Sequence, residues 1–170
     1  MIAELTAHLE ALHTDAFGWA VHCCGGNVSQ AEEILQSAYV KIAEERAKFD
    51  GRSVLRTWWF GVIRLTALEE HRRTRFRQSL LGRLLLQSPM ANTTHTSPAD
   101  ELEKNERRQH LRALLQQLPA RQAEVLHLVF YQDLTIYEAA GVMRVSLGSA
   151  RQHYERGKAR LRDLLAQSPH

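Results

Sequence analysis

Two helix-start signals lie close together in the stretch Asp133-Leu-Thr-Ile-Tyr-Glu-Ala-Ala-Gly-Val-Met-Arg-Val-Ser-Leu-Gly-Ser-Ala-Arg-Gln-His-Tyr-Glu-Arg-Gly-Lys-Ala-Arg-Leu-Arg162. Thr135 and Glu138 have the spacing of a capping box, in which each side chain bonds a free backbone N–H at the start of a helix. Ser146 repeats the start signal, and small or apolar residues recur at helical spacing from Ala150 onward. The stretch therefore predicts two helices joined by a short turn, which is a helix-turn-helix.

Positive charge is concentrated in the same stretch. From Arg144 to Arg162 the chain has six Lys or Arg residues and one acid, Glu155, whereas its formal net charge is only +3. A second helix with cations on its outer face has the shape that enters the major groove of DNA. An exposed basic face also serves solubility alone. The coincidence of cap signals, turn spacing and charge favours contact with DNA.

Composition excludes several classes of protein. With 170 residues and 44% apolar content the chain can form one domain or two small ones with a core. No stretch approaches the roughly 20 apolar residues of a membrane span, and the first residues lack the basic start and apolar centre of a signal peptide. We therefore expect a cytoplasmic protein.

A metal or redox site is conceivable near the only cysteines, Cys23 and Cys24, because His22 and His13 are close in sequence. Adjacent cysteines exclude a disulfide framework. A small buried hydrophobe at a helix end is the more common role of such cysteines. No nucleophile–base pair, paired carboxylates or phosphate loop stands out, so we predict no catalytic residue, metal site or cofactor.

Helical periodicity runs along almost the whole chain and strand patterns are nearly absent, so the predicted fold class is all-α. In the first half we predict helices over roughly 2–24, over 29–46 behind a capping box of Ser29 and Glu32, and from about residue 53 onward. Gly25 and Gly26 predict a left-handed end of the first helix.

Residues 87–100 have two prolines, many small polar residues and no periodicity, which indicates a flexible linker. Beyond it we predict a helix from near residue 101 and another over 120–131 with Pro119 at its first position, followed by the helix-turn-helix. The predicted organisation is two small helical domains, 1–80 and 99–170, joined by a flexible linker over 81–98.

Two sets of residues in order along the chain resemble the extracytoplasmic-function sigma factors, the small promoter-recognition subunits of bacterial RNA polymerase. In the C-terminal part they are Leu118-Pro-Ala-Arg-Gln-Ala-Glu-Val-Leu126, Leu134-Thr-Ile-Tyr-Glu-Ala-Ala140 and the helix after Ala150. In the N-terminal part they are Ala31-Glu-Glu-Ile-Leu-Gln36, Phe49-Asp-Gly-Arg-Ser53, Arg56-Thr-Trp58 and Ala67-Leu-Glu-Glu-His-Arg-Arg73. A helix-turn-helix transcription activator with an N-terminal sensor or dimerisation domain is the alternative, but it leaves the N-terminal set without a role.

The resemblance implies core RNA polymerase and promoter DNA as partners, and an anti-sigma factor as regulator. It implies that Glu32, Glu33 and Gln36 bind the polymerase, while the next loop and helix recognise and open the −10 element with a base flipped out of the duplex. The implied −10 residues are Asp50, Gly51, Arg52, Ser53, Arg56, Trp59, Arg64, Arg72 and Arg73. Trp58 and Trp59 point about 100° apart on a helix, so we expect Trp58 in the core and Trp59 at the contact.

For the C-terminal domain the resemblance implies recognition of the −35 element. The implied contacts are Ser149, Arg151, Gln152, His153, Glu155, Arg156 and Lys158. Arginine and glutamine suit the edges of guanine and adenine, and Arg156 and Lys158 are better placed for phosphates. The chain has Arg144 at the turn where glycine is frequent in the family, and a left-handed conformation there costs about 1 kcal/mol.

Overall fold

The computed structural model describes residues 2–84 and 102–167, and within these ranges it contains helices but no strand. The helices are α1 (Ile2–Ala11), α2 (His13–Cys23), α3 (Val28–Ala43), α4 (Leu55–Leu84), α5 (Leu102–Gln116), α6 (Ala120–Phe130), α7 (Ile136–Met143) and α8 (Leu147–Gln167). The all-α prediction is confirmed. The chain divides into two compact units, Met1–His95 and Thr96–His170.

The N-terminal unit is built on three helices, α2, α3 and α4, each of which packs against the other two. Large apolar side chains fill the space between them, and Trp19, Trp59 and Phe60 are fully buried. The indole Nε1 of Trp19 donates a hydrogen bond to the carbonyl oxygen of Phe60 at 3.0 Å. This bond ties α2 to the first half of α4 and gives the buried indole its partner.

Three boundaries of the N-terminal unit differ from the prediction. The first predicted helix is two helices, separated at Leu12, whose φ of −94° and ψ of 4° leave the helical region. The start of α3 is capped by Asn27, which accepts a hydrogen bond from the backbone of Gln30, so the predicted Ser29 cap is wrong. The helix also ends at Ala43 rather than at residue 46, because Glu45 adopts a left-handed φ of 54°.

Two other features of this unit concern the predicted end of the first helix and the predicted end of the domain. Gly25 and Gly26 have φ values of 63° and 93°, as predicted for the end of α2. Helix α4 runs on to Leu84, past the domain limit predicted at residue 80. Most of the predicted linker lies outside the described residues.

The C-terminal unit has its own core, formed mainly where α6, α7 and α8 pack on one another. Fully buried side chains include Val125, Leu126, Val142 and Met143. The sequence predicts Pro119 as the first residue of α6, but the helix begins at Ala120 and Pro119 occupies the N-cap position before it. Gly157 allows α8 to approach α6 closely, because a Cβ atom there would lie 3.1 Å from Cδ1 of Leu126.

Candidate nucleic-acid interface

Both helices of the helix-turn-helix begin at the residues that the sequence predicts. At the start of α7, the backbone N–H of Glu138 donates to Oγ1 of Thr135 at 3.2 Å, and the Glu138 carboxylate accepts from the Thr135 N–H at 2.8 Å. At the start of α8, the N–H of Ser149 donates to Oγ of Ser146 at 3.1 Å. These bonds satisfy N–H groups that a helix leaves unpaired at its first turn, so the motif is locally specified.

The turn between the two helices, residues 144–146, depends on one strained residue and one distant side chain. Arg144 ends α7 with φ 54° and ψ 49°, the left-handed conformation predicted for it. Arg121 of α6 donates from Nη1 to the carbonyl oxygen of Met143 at 3.4 Å and contacts the Glu124 carboxylate at 3.2 Å. A cation at the last carbonyl of α7 also interacts favourably with the helix dipole. Arg121 therefore supports the turn, a role that its place in the sequence did not indicate.

The predicted −35 residues all lie on α8. Arg151, Gln152, Glu155 and Arg156 are exposed, whereas Ser149, His153 and Lys158 are partly exposed. Three of these side chains, those of Ser149, Glu155 and Lys158, make contacts within the protein. The Ser149 hydroxyl accepts a hydrogen bond from Ser146 Oγ at 2.9 Å. Nζ of Lys158 lies 3.7 Å from the Glu155 carboxylate and 5.0 Å from the centre of the Tyr154 ring.

The predicted −10 loop is an exposed turn in front of α4. The Asp50 carboxylate accepts a hydrogen bond from the backbone N–H of Arg52 at 3.1 Å. Gly51 between them has a φ of 73°, and a Cβ atom there would meet nothing within 4 Å. Below the loop the rings of Phe49 and Trp58 pack with their centres 5.3 Å apart. The loop is therefore open to a ligand, with a partly exposed aromatic pair at its base.

Two predicted −10 residues, Trp59 and Arg64, are not on the surface. Trp59 is 0% exposed and packs against the Tyr39 ring at 4.9 Å, whereas Trp58 is partly exposed. The prediction that Trp58 lies in the core and Trp59 at the surface is therefore wrong, because the two side chains have the opposite positions. Arg64 is only 5% exposed. Both side chains lie on the part of α4 that packs into the unit, and neither can reach DNA in this conformation.

Arg56, also in the predicted −10 set, is held inside the N-terminal unit. Its Nη2 contacts the Asp15 carboxylate of α2 at 3.1 Å, and its guanidinium lies 5.4 Å from the centre of the Phe60 ring. Arg72 and Arg73, near the other end of α4, are exposed. Arg73 lies 3.9 Å from the Glu70 carboxylate.

The predicted polymerase-binding residues Glu32, Glu33 and Gln36 share the exposed face of α3. The opposite face, with Ile34 and Leu35, is buried in the core. The amphipathic pattern of α3 therefore places the two carboxylates and the amide together on the surface.

Cys24 is buried at the end of α2, and neither cysteine is in a disulfide. Burial, with a smaller effect of the Glu33 charge, raises the pKa of the Cys24 thiol to about 11. His22 stacks on Trp19 with ring centres 5.3 Å apart, and His13 Nδ1 lies 3.3 Å from the Tyr39 hydroxyl. Such a thiol is protonated at neutral pH and behaves as a small hydrophobe.

Family models for two regions of one protein class match this chain. The model of Sigma-70 region 2 matches residues 8–77, and that of Sigma-70, region 4 matches residues 114–163. The chain belongs to the sigma-70 family. The region 2 match contains the exposed face of α3 and the −10 loop, and the region 4 match contains the helix-turn-helix.

Two sequence relatives agree with this assignment. The ECF RNA polymerase sigma factor SigX of Bacillus subtilis (strain 168) is 27% identical over 135 residues, 79% of this chain and 70% of SigX. The RNA polymerase sigma factor YlaC of the same strain is 24% identical over 143 residues, 84% of this chain and 81% of YlaC.

The fold is similar to that of two proteins of known structure. The sigma factor RpoE, solved in complex with the anti-sigma factor NepR from Bartonella quintana, has a TM-score of 0.73 at 20% identity, with 98% of this chain and 99% of RpoE covered. CnrH, solved with the cytosolic domain of CnrY, has a TM-score of 0.62 at 21% identity, with 95% and 88% covered.

As an extracytoplasmic-function sigma factor, the chain binds core RNA polymerase and directs promoter-specific initiation of transcription at −10 and −35 elements. The alternative of a helix-turn-helix activator is not favoured, because it leaves the region 2 match without a role. Sigma factors are generally regulators without enzymatic activity. In the described part of the chain, no helix has the length and apolarity needed to cross a membrane.

Proposed function

We propose that the two units of this sigma factor divide the promoter between them. The C-terminal unit would read the −35 element in duplex DNA, and the N-terminal unit would bind the polymerase and open the −10 element. The observation that carries the proposal is the doubly capped helix-turn-helix, because its second helix presents exposed polar side chains on its first turns.

At −35, we assign base reading to the first turns of α8. Arg151 and Gln152 have the geometry to bond the edges of guanine and adenine, and Glu155 can accept from a cytosine amino group. Ser149 and His153 complete the reading surface. Arg156 and Lys158 anchor the phosphates, an interaction that carries no sequence information.

At −10, we assign the flipped base to the loop of Asp50, Gly51, Arg52 and Ser53. The loop is exposed, its shape is fixed by its own aspartate, and Gly51 leaves space beside the backbone. Trp58 takes the place first assigned to Trp59, because it is the partly exposed indole at the base of the loop. Arg72 and Arg73 contact phosphates, while Arg56 braces the start of α4 against α2.

The surface of Glu32, Glu33 and Gln36 is assigned to the polymerase, where two carboxylates complement a basic partner surface. We also propose that an anti-sigma factor regulates this chain, as NepR was found bound to the structurally similar RpoE. The protein would have no catalysis of its own and would act in the cytoplasm, where polymerase and chromosome are found.

Run-off transcription on a genomic promoter library, with purified core polymerase and this chain, tests the proposal. We expect initiation at a limited set of sites that share two elements, and none with core polymerase alone. Tight DNA binding by the chain without polymerase would instead indicate an activator. Absence of binding to core polymerase even at low salt would overturn the proposal.

A further inference from the structure

The outer segment of α4, residues 72–80, extends beyond the core of its unit. Among the side chains of α4 whose burial is described, which end at Leu80, the last buried one is that of Ala67. Within the outer segment every side chain is exposed except that of Thr74, which is partly exposed. A helical segment that buries no face gains little from packing, and its exposed side chains are available to a partner.

The charge of the outer segment indicates what this partner is. It carries Arg72, Arg73, Arg75 and Arg77, and no acidic residue occurs between Glu70 and Asp100. Arg73 and Arg77 are four residues apart, a spacing at which like charges destabilise a helix. Among the described residues, none forms an ion pair with Arg72, Arg75 or Arg77. A polyanion would remove this repulsion, and residues 85–99 of the chain cannot do so because they carry no carboxylate.

An aromatic ring lies in the middle of these arginines. Phe76 is 65% exposed, more than any other large apolar side chain described in the N-terminal unit. On a helix, Arg72 and Leu80 lie one turn before and after it, each about 40° around the axis. Contacts to duplex phosphates require no aromatic ring. An exposed ring among cations is the combination with which proteins bind single strands, since an unpaired base stacks on the ring.

We propose that Phe76 stacks on an unpaired base of the melted promoter, while Arg72, Arg75 and Arg77 neutralise the phosphates beside it. The inference rests on the proposed −10 function and adds a single-strand site to it, about six turns along α4 from the −10 loop. A protein partner with an apolar pocket fits this surface less well than an unpaired base does. Such a pocket would bury Phe76 only by desolvating the arginines around it.

The test uses the holoenzyme and two forms of one promoter, a complete duplex and a template with the −10 region already unpaired. Phe76→Ala is expected to weaken binding to the unpaired template about five- to tenfold, the loss of one base–aromatic stack. Binding to the duplex in the closed complex stays within about twofold. Phe76→Trp should retain binding to the unpaired template, because tryptophan can stack on a base. Phe76→Leu keeps the apolar area but has no π face, so it should lose affinity as Phe76→Ala does.

Leu80→Ala is the matched control, since Leu80 is an exposed apolar residue on the same face, and we expect less than about a twofold change. The proposal is overturned if Phe76→Leu binds like the unmodified protein or if both templates lose affinity equally. It is also overturned if Phe76→Ala weakens binding to core polymerase without DNA, which would assign Phe76 to a protein contact. Failure of the unmodified holoenzyme to bind either template would count against the proposed −10 function instead.

Discussion

Gly157 sets the distance between α6 and α8 by the absence of a side chain. A Cβ atom at this position would lie 3.1 Å from Cδ1 of Leu126 and 3.2 Å from Cβ of Gln122, closer than normal contacts. Gly157→Ala should therefore destabilise the C-terminal unit by about 1–2 kcal/mol through overpacking, although alanine favours the helix itself by about 1 kcal/mol. Thermal unfolding followed by circular dichroism measures the change.

Gly148→Ala is the control for this substitution. A Cβ atom at Gly148, in the first turn of α8, would meet only Ser146 Oγ at 3.9 Å. Stability should stay unchanged or rise by up to about 1 kcal/mol. Equal destabilisation by both alanines would show that Gly157 is not a packing requirement.

The burial of Cys24 should slow the alkylation of its thiol. Its pKa of about 11, raised from 9.0, keeps the thiol protonated in the folded state at pH 8. Iodoacetamide should alkylate it about a hundredfold more slowly than in urea, because the thiolate fraction falls tenfold for each unit by which the pKa rises. Alkylation rates of single-cysteine variants, with the partly exposed Cys23 as control, measure this. Equal rates at both positions would contradict the assigned burial.

The raised pKa of Cys24 also predicts how the stability of the protein changes with pH. An acid with a raised pKa in the folded state favours the unfolded state once that state ionises. The contribution of Cys24 is therefore fully present below pH 9 and is lost as the pH rises toward 11. Cys24→Ala should flatten the loss of stability in this alkaline window, as measured by urea unfolding.

Between elements, Lys41 joins α3 to α4. Its Nζ donates to the Glu69 carboxylate at 2.6 Å and to the Thr66 hydroxyl at 3.0 Å, and its side chain is only 16% exposed. Lys41→Met should lower the free energy of unfolding of the N-terminal unit by about 1–2 kcal/mol, because it removes two hydrogen bonds of a largely buried cation, whereas the remaining Glu69 carboxylate is 43% exposed and keeps part of its hydration. Urea unfolding measures this loss.

Arg46→Ala provides the comparison for Lys41→Met. Arg46 pairs with Glu44, but the two side chains are 57% and 54% exposed. Such surface pairs contribute little, so the change should stay below about 0.5 kcal/mol. A loss as large as that of Lys41→Met would mean that exposure does not distinguish the two ion pairs.

Elements with strong local signals could be predicted from the sequence. The capping box of Thr135 and Glu138 was predicted correctly because the two residues that form it are only three positions apart. The left-handed Arg144 was also predicted correctly, but only from the glycine that the family has at this turn. The break at Leu12 could not be predicted, since neither glycine nor proline marks it. Asn27 and Ser29 are both good caps, and the local sequence alone could not rank them.

The candidate surfaces were predictable only where amphipathic periodicity is simple. Helix α3 has one apolar face, so the sequence correctly predicts that Glu32 and Glu33 are exposed. Helix α4 has no single apolar face in its first half, because Trp59, Val62, Ile63 and Arg64 are all buried and together cover more than half of the helix circumference. The pattern of apolar residues therefore does not reveal that Trp59 and Arg64 are buried.

For the molecule as a whole, polymerase binding and promoter opening should be separable. Arg72→Ala combined with Arg73→Ala removes two exposed cations, and we expect promoter opening to weaken more than polymerase binding. Permanganate reactivity of unpaired thymines measures opening, and a pull-down with core polymerase measures binding. Glu32→Lys combined with Glu33→Lys should do the reverse by weakening the pull-down first. If the arginine variant loses polymerase binding equally, these arginines belong to the protein interface.

The C-terminal domain alone, from about residue 99, should fold and bind −35 DNA weakly with a steep dependence on salt, because a few phosphate contacts supply most of the affinity. Arg151→Ala and Gln152→Ala should each change the preferred bases, whereas Lys158→Ala should lower affinity for all sequences alike. Binding-site selection with each variant measures both effects. The roles are wrong if Lys158→Ala selects a new sequence, or if Arg151→Ala and Gln152→Ala both select the old one.

The separate cores of the two units have a consequence for how such a protein changes over generations. A substitution among Trp19, Trp59 and Phe60 alters the packing of one unit, and a substitution at Leu126 or Met143 alters that of the other. Stability effects in separate cores add rather than interact. Preferences for the two promoter elements can thus diverge one at a time, and exchanging the C-terminal unit between relatives should yield hybrids with recombined specificity.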